Sequence, residues 1–250
     1  MRVISFKIWG DYAHFRRHYT TSSPLTHSIP PPSALRGLVG AIMGFSRHEY
    51  PQILAPHKVF FGVRLLRPVK KIRLGMNYMD TKDGSWTQLD LRMFRPIVKK
   101  DGHGNPRLHT QIRMEFLKDP VFEIFFHHED DGVMDNFAER LQAHSTVYTP
   151  YLGITECIAN FEFLWDEDVQ PFEGVSNVLS AFKLSALKGI KLKGGTGIVK
   201  ERLPLFIDAQ RVRQLGDEVV FNPYAKTIVA EIEGTLKYPN KSDETFTFIG

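Results

Sequence analysis

The sequence contains very little cysteine and no long apolar run. Cys157 is the single cysteine among 250 residues, which excludes an internal disulfide framework and a zinc site built from several cysteines. The longest apolar stretch, around residues 35–45, is interrupted by Arg36 and is too short to cross a bilayer. Residues 1–7 alternate apolar and polar side chains, which indicates a strand and not a signal peptide. We therefore expect a soluble, cytoplasmic protein with no membrane partner.

Acidic residues are scarce in the first half of the chain, and basic residues are scarce in the middle. Residues 1–120 hold 20 Lys+Arg and 8 Asp+Glu, whereas residues 121–180 hold 1 and 12. Residues 181–207 are basic again, although the net charge of the whole chain is only +4. Such blocks predict one face for a polyanion and a separate acidic face, and a patchy solvated surface is the alternative.

Hydrophobic periodicity predicts the order of the secondary structure elements. The expected elements are strand 3–9, helix 34–44, strands 59–66 and 120–127, helix 133–143, strand 156–165, and strands 178–187, 199–207, 218–222, 227–236 and 245–249. Ser33 stands where the first helix needs an N-cap. The basic stretch 67–118 combines turn signals with alternating pieces, which predicts an inserted hairpin with one polar face.

This order predicts an α+β fold. Strand, helix, strand, hairpin insertion, strand, helix, strand is the order of a ferredoxin-like, or RNA-recognition-motif-like, unit. We expect residues 1–165 to form this domain, with the insertion at about 66–117, and residues 166–250 to form a β-rich C-terminal region. Both helices would lie on one face of the sheet and leave the other face free to bind.

Three glycines in the first predicted helix share one of its faces. Gly37, Gly40 and Gly44 are spaced by three and four residues. Interior glycines destabilise a helix by about 1 kcal/mol each relative to alanine. Tight packing of the helix backbone and close approach of a ligand backbone both explain them, and the two explanations are compatible.

The loop before this helix has the composition of a nucleic-acid contact. Residues 14–23 combine cations, hydroxyls and aromatic rings, which suit phosphates, sugars and bases, and they lead into a helix N-terminus. Arg36 lies in the first helical turn, where an acidic residue is normally favoured, and this indicates an anionic ligand. A merely solvated loop is the alternative.

Two further basic stretches are candidate contacts. The inserted region carries many Lys and Arg residues with apolar side chains among them, a mixture that could grip a backbone and wedge between bases or simply pack on the domain. Residues 188–202 form a basic, glycine-rich turn whose amides could bind phosphate, although an ordinary hairpin turn gives the same pattern.

No catalytic or metal-binding constellation emerges from the spacing. Residues 127–131 (His-His-Glu-Asp-Asp) have ligand-type side chains, but neighbours on a strand point to opposite faces and no second ligand pair has helical spacing. We expect no metal site, no cofactor and no catalytic residue. Metal-free RNA cleavage needs only a general base and a general acid near a 2′-hydroxyl, so the sequence does not exclude this reaction.

Two blocks of the sequence resemble a known family. Residues 6–13 (Phe-Lys-Ile-Trp-Gly-Asp-Tyr-Ala), followed by residues 29–44 with their Pro-Pro-Pro-Ser start and glycine helix, are similar to the amino-terminal signature of CRISPR-associated protein five, a member of the RAMP superfamily. Residues 200–205 (Lys-Glu-Arg-Leu-Pro-Leu) resemble that family's carboxy-terminal block. The family holds the 5′ end of the guide RNA in type I Cascade complexes.

The resemblance implies a ferredoxin-like fold with a β-hairpin "thumb" that kinks RNA at the junction of handle and spacer. It implies binding of the 5′ repeat-derived handle, contacts to the backbone subunit and the large subunit, and an indirect relation to target DNA through the complex. The expected RNA-binding residues are Tyr12, His14, Arg16, Arg17, His18, Tyr19, Ser33, Arg36, Lys70, Lys71, Arg73, Arg92, Arg95, Lys99, Lys100, Arg107, Lys193, Lys200 and Arg202.

One branch of the family is itself the ribonuclease that cleaves repeat RNA, with a tyrosine just after the Ala-Ile of this helix and a Lys-His pair. Here Met43 follows Ala41 and Ile42, and the chain contains no Lys-His dipeptide. The resemblance therefore implies a non-catalytic, type I-B-like member. The alternatives are a metal-independent endoribonuclease that processes repeat RNA, and an assembly protein whose acidic segment 121–180 docks a basic neighbour.

Overall fold

A computed structural model describes residues 1–20, 23–78, 111–190, 197–208, 210, 212–214, 216–241 and 243–250, and the backbone of residues 89–90, 95–96, 99–100, 106–107, 110, 191 and 215. The described chain is a mixed α/β structure that is rich in strands and has few helices. None of the helices in this part of the chain is long and apolar enough to span a membrane.

The described elements follow in chain order. The helices are α1 (Pro32–Met43), α2 (Tyr50–Ile53) and α3 (Asp131–Gln142), with a 3-10 turn at Leu184–Ala186. The strands are β1 (Arg2–Trp9), β2 (Tyr12–Ala13), β3 (Val59–Leu65), β4 (Lys71–Tyr78), β5 (Leu89–Asp90), β6 (Arg95–Pro96), β7 (Lys99–Lys100), β8 (Pro106–Arg107), β9 (Thr110–Lys118), β10 (Val121–His128), β11 (Asn160–Asp168), β12 (Pro171–Phe172), β13 (Val175–Val178), β14 (Phe182–Lys183), β15 (Leu187–Lys191), β16 (Val199–Ile207), β17 (Arg213–Phe221), β18 (Ile228–Ile232), β19 (Thr235–Lys237) and β20 (Glu244–Phe246).

The main sheet contains four antiparallel strands in the order β11-β1-β10-β3. Alternate residues of β1 are apolar and point to one face, where Phe6 meets Phe137 of α3 edge-on at 5.3 Å. Helix α1 connects β1 to β3, and α3 connects β10 to β11, so both helices contribute to the core on this face. The period-2 pattern of the strands and the helical spacing at Phe137 and Leu141 explain this packing.

The opposite face of the main sheet is partly covered, which corrects the expectation that it is free to bind. Phe125 of β10 is fully buried and stacks on Phe246 of β20 at 4.1 Å. Tyr238 donates its hydroxyl to the buried carboxylate of Glu123 at 2.9 Å. The C-terminal strands cover this face because its residues include large apolar side chains that are stabilised by burial.

The remaining strands form smaller sheets. The C-terminal strands form one sheet in the order β12-β19-β20-β13-β18-β15 and another in the order β14-β17-β16. Strands β4 and β9 pair along their whole length, and β2 adds to the edge of β9. One face of this pair is apolar and the other carries Lys71, Arg73 and Arg113, which agrees with the alternation in the sequence.

Most predicted elements lie near their expected positions, with local differences. The expected strand 227–236 is two strands, β18 and β19, because the chain turns at Gly234 with φ +72°. Ser33 does not cap α1, because the helix begins at Pro32 after Pro31, and proline has no N–H to satisfy at a helix start. The expected strand 178–187 is interrupted, since β13 ends at Val178, β14 holds two residues and a 3-10 turn follows.

We predict that Gly153→Ala destabilises the fold far more than Gly234→Ala. Both glycines have a positive φ, +96° and +72°, which penalises alanine by about 1–2 kcal/mol. At Gly153 the added Cβ would also lie 2.1 Å from the backbone oxygen of His14, whereas at Gly234 it meets no described atom within 4 Å. Urea unfolding should show a loss of roughly 2–5 kcal/mol for Gly153→Ala and about 1–2 kcal/mol for Gly234→Ala. Equal losses would contradict the close packing of residues 14 and 153.

Candidate nucleic-acid interface

A cleft of about 300 Å³ lies beside the first half of α1. Its walls come from residues 14–16, α1, residues 151–154 and the end of β16, and most of its lining is apolar. Two exposed cations, Arg16 and Arg213, are among its lining residues. A cleft with an apolar floor and cations beside it can hold a base and bind the phosphates that flank it.

A second groove of about 510 Å³ continues along the same side of α1. It shares Gly37, Ala41 and Tyr151 with the first cleft and adds Arg47 and Tyr148. Tyr148 and Tyr151 are 54% and 43% exposed, so their rings are available for contact. Together the two spaces form a continuous surface along α1 with arginines and tyrosines beside it.

The three glycines of the first helix have different roles. A Cβ at Gly37 would meet no atom within 4 Å among the described residues, so packing does not require glycine there. A Cβ at Gly40 would touch Cβ of Tyr50 at 3.4 Å, an ordinary contact. Gly44 has φ +82° and ends the helix, a conformation that favours glycine. Close approach of a ligand backbone therefore fits Gly37 best, because that residue faces the open cleft.

Arg36 is buried, and this corrects its prediction as an RNA-binding residue. Its Nε donates to the carbonyl of Leu54 at 2.8 Å and its Nη1 to that of Leu205 at 2.5 Å. The guanidinium lies 5.5 Å from the ring of Phe61 and 5.6 Å from that of Phe206. Burial lowers the pKa of Arg36 to about 10. The side chain joins α1 to β16 and to the end of α2 and does not reach the surface.

His14 is also buried, although the sequence places it in the candidate contact loop. It is 1% exposed, its Nδ1 lies 2.7 Å from the carbonyl oxygen of Glu115, and its ring packs on Phe116. Burial lowers the pKa of His14 below its usual value, so the imidazole is neutral at pH 7. His14 lines the cleft as part of its wall and supplies no cation there.

The carboxylate of Glu201 in β16 fixes the loop that precedes α1. Glu201 is buried and accepts from Arg17 Nη2 at 2.8 Å, from Ser28 Oγ at 2.5 Å and from the Ser28 amide at 3.1 Å. His27 Nδ1 lies 3.2 Å from the same carboxylate. Burial by itself would raise the pKa of Glu201, but the hydrogen bonds of His27 and Ser28 and the charge of Arg17 outweigh it and lower the pKa to about 2.

The other predicted residues fall into three groups. The exposed ones are Arg16, His18, Tyr19, Lys70, Arg73, Lys200 and Arg202, and the half-buried ones are Tyr12, Arg17, Ser33 and Lys71. Lys71 lies 3.5 Å from Glu115, and Lys200 donates to Glu218 at 2.9 Å, so each already has an acidic partner. Arg92 and Lys193 lie outside the described residues, as do the side chains of Arg95, Lys99, Lys100 and Arg107.

Four residues of this surface are missing from the sequence-based prediction. Arg47, Tyr148, Tyr151 and Arg213 lie beside the grooves, but they come from three separate parts of the chain. The pair of tyrosines around Thr149-Pro150 is the one local signal that could have indicated an aromatic contact loop. Nothing in the pattern of residues near Arg213 connects it to α1.

The histidines at 127 and 128 contact backbone groups. His127 Nδ1 lies 2.8 Å from the carbonyl oxygen of Arg2. His128 Nδ1 accepts from the Asp130 amide, and its Nε2 lies 3.0 Å from the carbonyl oxygen of Ile53. Within the described ranges, no group of three or more His, Cys, Asp or Glu residues could hold a metal ion.

Comparisons with known proteins identify the family to which the chain belongs. A family model described as CRISPR-associated protein (Cas_Cas5) matches residues 3–223, which is most of the chain. The protein therefore belongs to the CRISPR-associated Cas5 family, as the two sequence blocks predict.

A curated relative and two solved structures extend this result. The chain is 25% identical to the CRISPR pre-crRNA endoribonuclease Cas5d of Mannheimia succiniciproducens over 189 aligned residues. The aligned region covers 69% of this chain and 77% of the relative. A CRISPR RNA-guided surveillance complex chain matches with a TM-score of 0.53 at 16% identity, covering 92% of this chain and 90% of that one. A CRISPR protein from Archaeoglobus fulgidus matches with a TM-score of 0.51 at 13% identity, covering 100% and 99%. At these identities the two structures establish the similarity of the fold.

We predict that Arg36→Ala destabilises the protein and that Arg73→Ala does not. The first change leaves the carbonyls of Leu54 and Leu205, one buried and one half-buried, without their donor and opens a cavity between two phenylalanines, at a cost of roughly 3 kcal/mol or more. Arg73 is exposed, and its removal should change the free energy of unfolding by less than about 0.5 kcal/mol. Urea unfolding of both variants measures the difference, and similar stabilities would contradict the structural role of Arg36.

We also predict that Glu201 contributes acid sensitivity. Because the folded state lowers its pKa from 4.5 to about 2, the stabilisation is present above pH 4.5 and is lost as the pH falls towards 2. The difference corresponds to about 3 kcal/mol. Unfolding free energies measured between pH 6 and pH 2 should therefore fall more steeply for the wild type than for Glu201→Gln, which cannot titrate. Parallel curves would contradict the buried, ionised carboxylate.

Proposed function

We propose that this protein is a non-catalytic RNA-binding subunit of a type I CRISPR surveillance complex (Cascade), in which it binds and caps the 5′ repeat-derived handle of the guide RNA. Membership of the Cas5 family supports this role. The observation that carries it in this chain is the groove along α1, with Arg16, Arg213 and Arg47 beside an apolar floor and two exposed tyrosines. Cations for phosphates and rings for bases are what single-stranded RNA requires.

The finer features of the fold are part of the proposal. The main sheet has the strand order β11-β1-β10-β3. Counted along the chain, these are its fourth, first, third and second strands, and a helix follows the first and the third. This arrangement supports a ferredoxin-like unit. We assign this unit to residues 1–165, a β-rich region to 166–250 and a thumb to 66–117. The pairing of β4 with β9 supports the base of such a thumb, and its polar face would follow the RNA backbone.

The acidic middle of the chain fits a protein neighbour better than RNA. Asp131, Asp135 and Glu139 are exposed on α3, at the side of the main sheet that carries the helices. Within the complex we propose contacts to the backbone subunit and the large subunit, and contact with target DNA only through the assembly. Surfaces of opposite charge steer such an association and fix its orientation.

The named activity of the curated relative, pre-crRNA endoribonuclease, makes RNA cleavage the second candidate function. Met43 occupies the position after Ala41 and Ile42 where the catalytic branch has a tyrosine, and its side chain is buried. His14 lines the cleft, but it is buried with a lowered pKa, which suits a structural histidine better than a proton-transfer group. These observations favour binding without cleavage.

Repeat RNA incubated with the protein in EDTA distinguishes the two functions. We expect the RNA to remain intact while it stays bound. A single cut that leaves a defined 5′ handle would overturn the non-catalytic assignment, and loss of this cut in a His14→Ala variant that still folds would place the chemistry at the cleft. EDTA binds divalent metal ions, so metal-dependent nucleases that contaminate the preparation are inactive in this assay.

We predict that the cations beside the groove carry a measurable part of the RNA affinity. The double variant Arg16→Gln with Arg213→Gln should bind repeat RNA about tenfold more weakly or worse. Its binding should also be less sensitive to salt, because the plot of log affinity against log salt concentration becomes shallower by roughly 0.7 for each RNA phosphate that is no longer neutralised. Fluorescence anisotropy over a series of salt concentrations measures both quantities. The double variant Lys226→Gln with Lys237→Gln is the control, because it removes the same charge from exposed positions outside the groove. An equal loss of RNA affinity in the two double variants would show that net charge alone causes the effect.

A further inference from the structure

The side chains of Glu201, Arg17 and Tyr19 form a hydrogen-bonded chain from the buried strand β16 to the surface. Arg17 Nη2 donates to the Glu201 carboxylate at 2.8 Å, and Arg17 Nη1 donates to the hydroxyl of Tyr19 at 2.9 Å. The third donor, Arg17 Nε, reaches the carbonyl of Thr26 at 3.1 Å. Three of the five N–H groups of this guanidinium are therefore directed at protein acceptors.

This arrangement restrains Arg17 more than an exposed loop arginine. The carboxylate of Glu201 is 6% exposed, and the same carboxylate also holds Ser28 at the far end of the loop. The backbone closes the loop between these ends, because Arg17 N donates to the carbonyl of Leu25 at 2.8 Å. A buried carboxylate without its cation would be strongly destabilised, so the guanidinium stays with Glu201.

Tyr19 differs from the other two members of the chain because its ring lies in solvent. The side chain is 61% exposed, and its ring meets His18 edge-on at 5.2 Å. An exposed tyrosine normally samples several rotamers, and fixing it costs conformational entropy. Here the hydrogen bond from Arg17 restrains the hydroxyl of Tyr19 in the free protein, so less conformational entropy is lost when a ligand binds.

We infer that Glu201 and Arg17 are positioning residues that hold the ring of Tyr19 as a stacking platform for one base of a single-stranded RNA. This inference rests on the RNA-binding function proposed above. It assigns Arg17 to the protein side of the interface, where it orients Tyr19, and it leaves the phosphate contacts to exposed neighbours such as Arg16. Stacking on an aromatic ring accepts any base, so the platform contributes affinity without selecting a sequence.

The first test measures binding of single-stranded repeat RNA to the full chain, with 2-aminopurine placed at one position at a time. Tyr19→Ala should weaken binding by roughly 5- to 150-fold, the range expected when one stacked base is no longer supported. It should also abolish the fluorescence quenching at one position of the RNA while leaving the others quenched. Tyr224→Ala is the matched control, because Tyr224 is 58% exposed, close to the 61% of Tyr19, but lies after β17 and outside the loop before α1. Its affinity and its quenching pattern should equal those of the wild type.

The second test separates positioning from direct contact by Arg17. Tyr19→Phe keeps the ring and removes the hydroxyl that Arg17 holds. Arg17→Lys keeps a positive charge but removes the separate Nη1 group that donates to Tyr19. Each change should weaken binding by about 2- to 10-fold, the effect of one hydrogen bond. If the two residues act through one contact, the double variant should bind RNA as tightly as the single variant that has the lower affinity. Tyr19→Phe leaves the ion pair between Arg17 and Glu201 in place, so this variant should melt close to the wild type. Arg17→Lys also loses the hydrogen bond from Nε to Thr26, so its melting temperature is measured alongside its affinity.

The outcomes distinguish this inference from the function on which it rests. Failure of the wild type to bind repeat RNA would overturn both. Binding by the wild type with unchanged affinity in Tyr19→Ala would overturn the platform alone. Additive effects of Arg17→Lys and Tyr19→Phe would overturn the positioning role, because Arg17 would then contact the RNA independently. Non-additive effects together with unquenched fluorescence at one base would support it.

Discussion

The surface beside α1 depends on one buried carboxylate, that of Glu201. A charge removed from water is tolerated only when other groups replace its solvation, and here a guanidinium, a hydroxyl, a backbone amide and an imidazole do so. Arg17 and Ser28 lie at the two ends of the loop that precedes α1, so the loop cannot leave β16 without exposing an unpaired charge in the interior. These contacts tie down the described part of the loop from which His14, Phe15 and Arg16 line the cleft.

Strand β16 also receives Arg36 from α1, and the two contacts link the N-terminal and C-terminal parts of the chain. Leu203 of β16 and Phe221 of β17 belong to the same buried core as Ile4 and Phe6 of β1. The regions 1–165 and 166–250 therefore share apolar packing as well as polar contacts. Removing either part would expose a large apolar area, so each part is stabilised by burial against the other.

Local features were predictable from the sequence where local forces decide them. Asp130 caps α3, the spacing of Phe137 and Leu141 defines its buried face, and β16 has the predicted bounds of residues 199–207. The roles of Arg36 and Arg17 were not predictable, because their partners Leu205 and Glu201 lie 169 and 184 residues away in the chain. An arginine in a first helical turn has the same sequence pattern whether it turns outward to an anion or inward to a carbonyl. Only the tertiary fold decides between the two.

The covered sheet has a further consequence for where RNA can bind. In an RNA-recognition motif the open face of the sheet presents aromatic rings to bases. Here Phe125 of the main sheet is buried beneath Phe246, so its ring cannot contact a base. Among the described residues, the exposed rings of Tyr148 and Tyr151 lie on a loop beside α1, next to the grooves that Arg16, Arg47 and Arg213 line, and the exposed ring of Tyr19 lies on the loop before α1. The C-terminal strands thus leave the loops around α1, and not this part of the sheet face, for the proposed RNA contact. In that proposal Glu201 matters because it holds one of these loops in place.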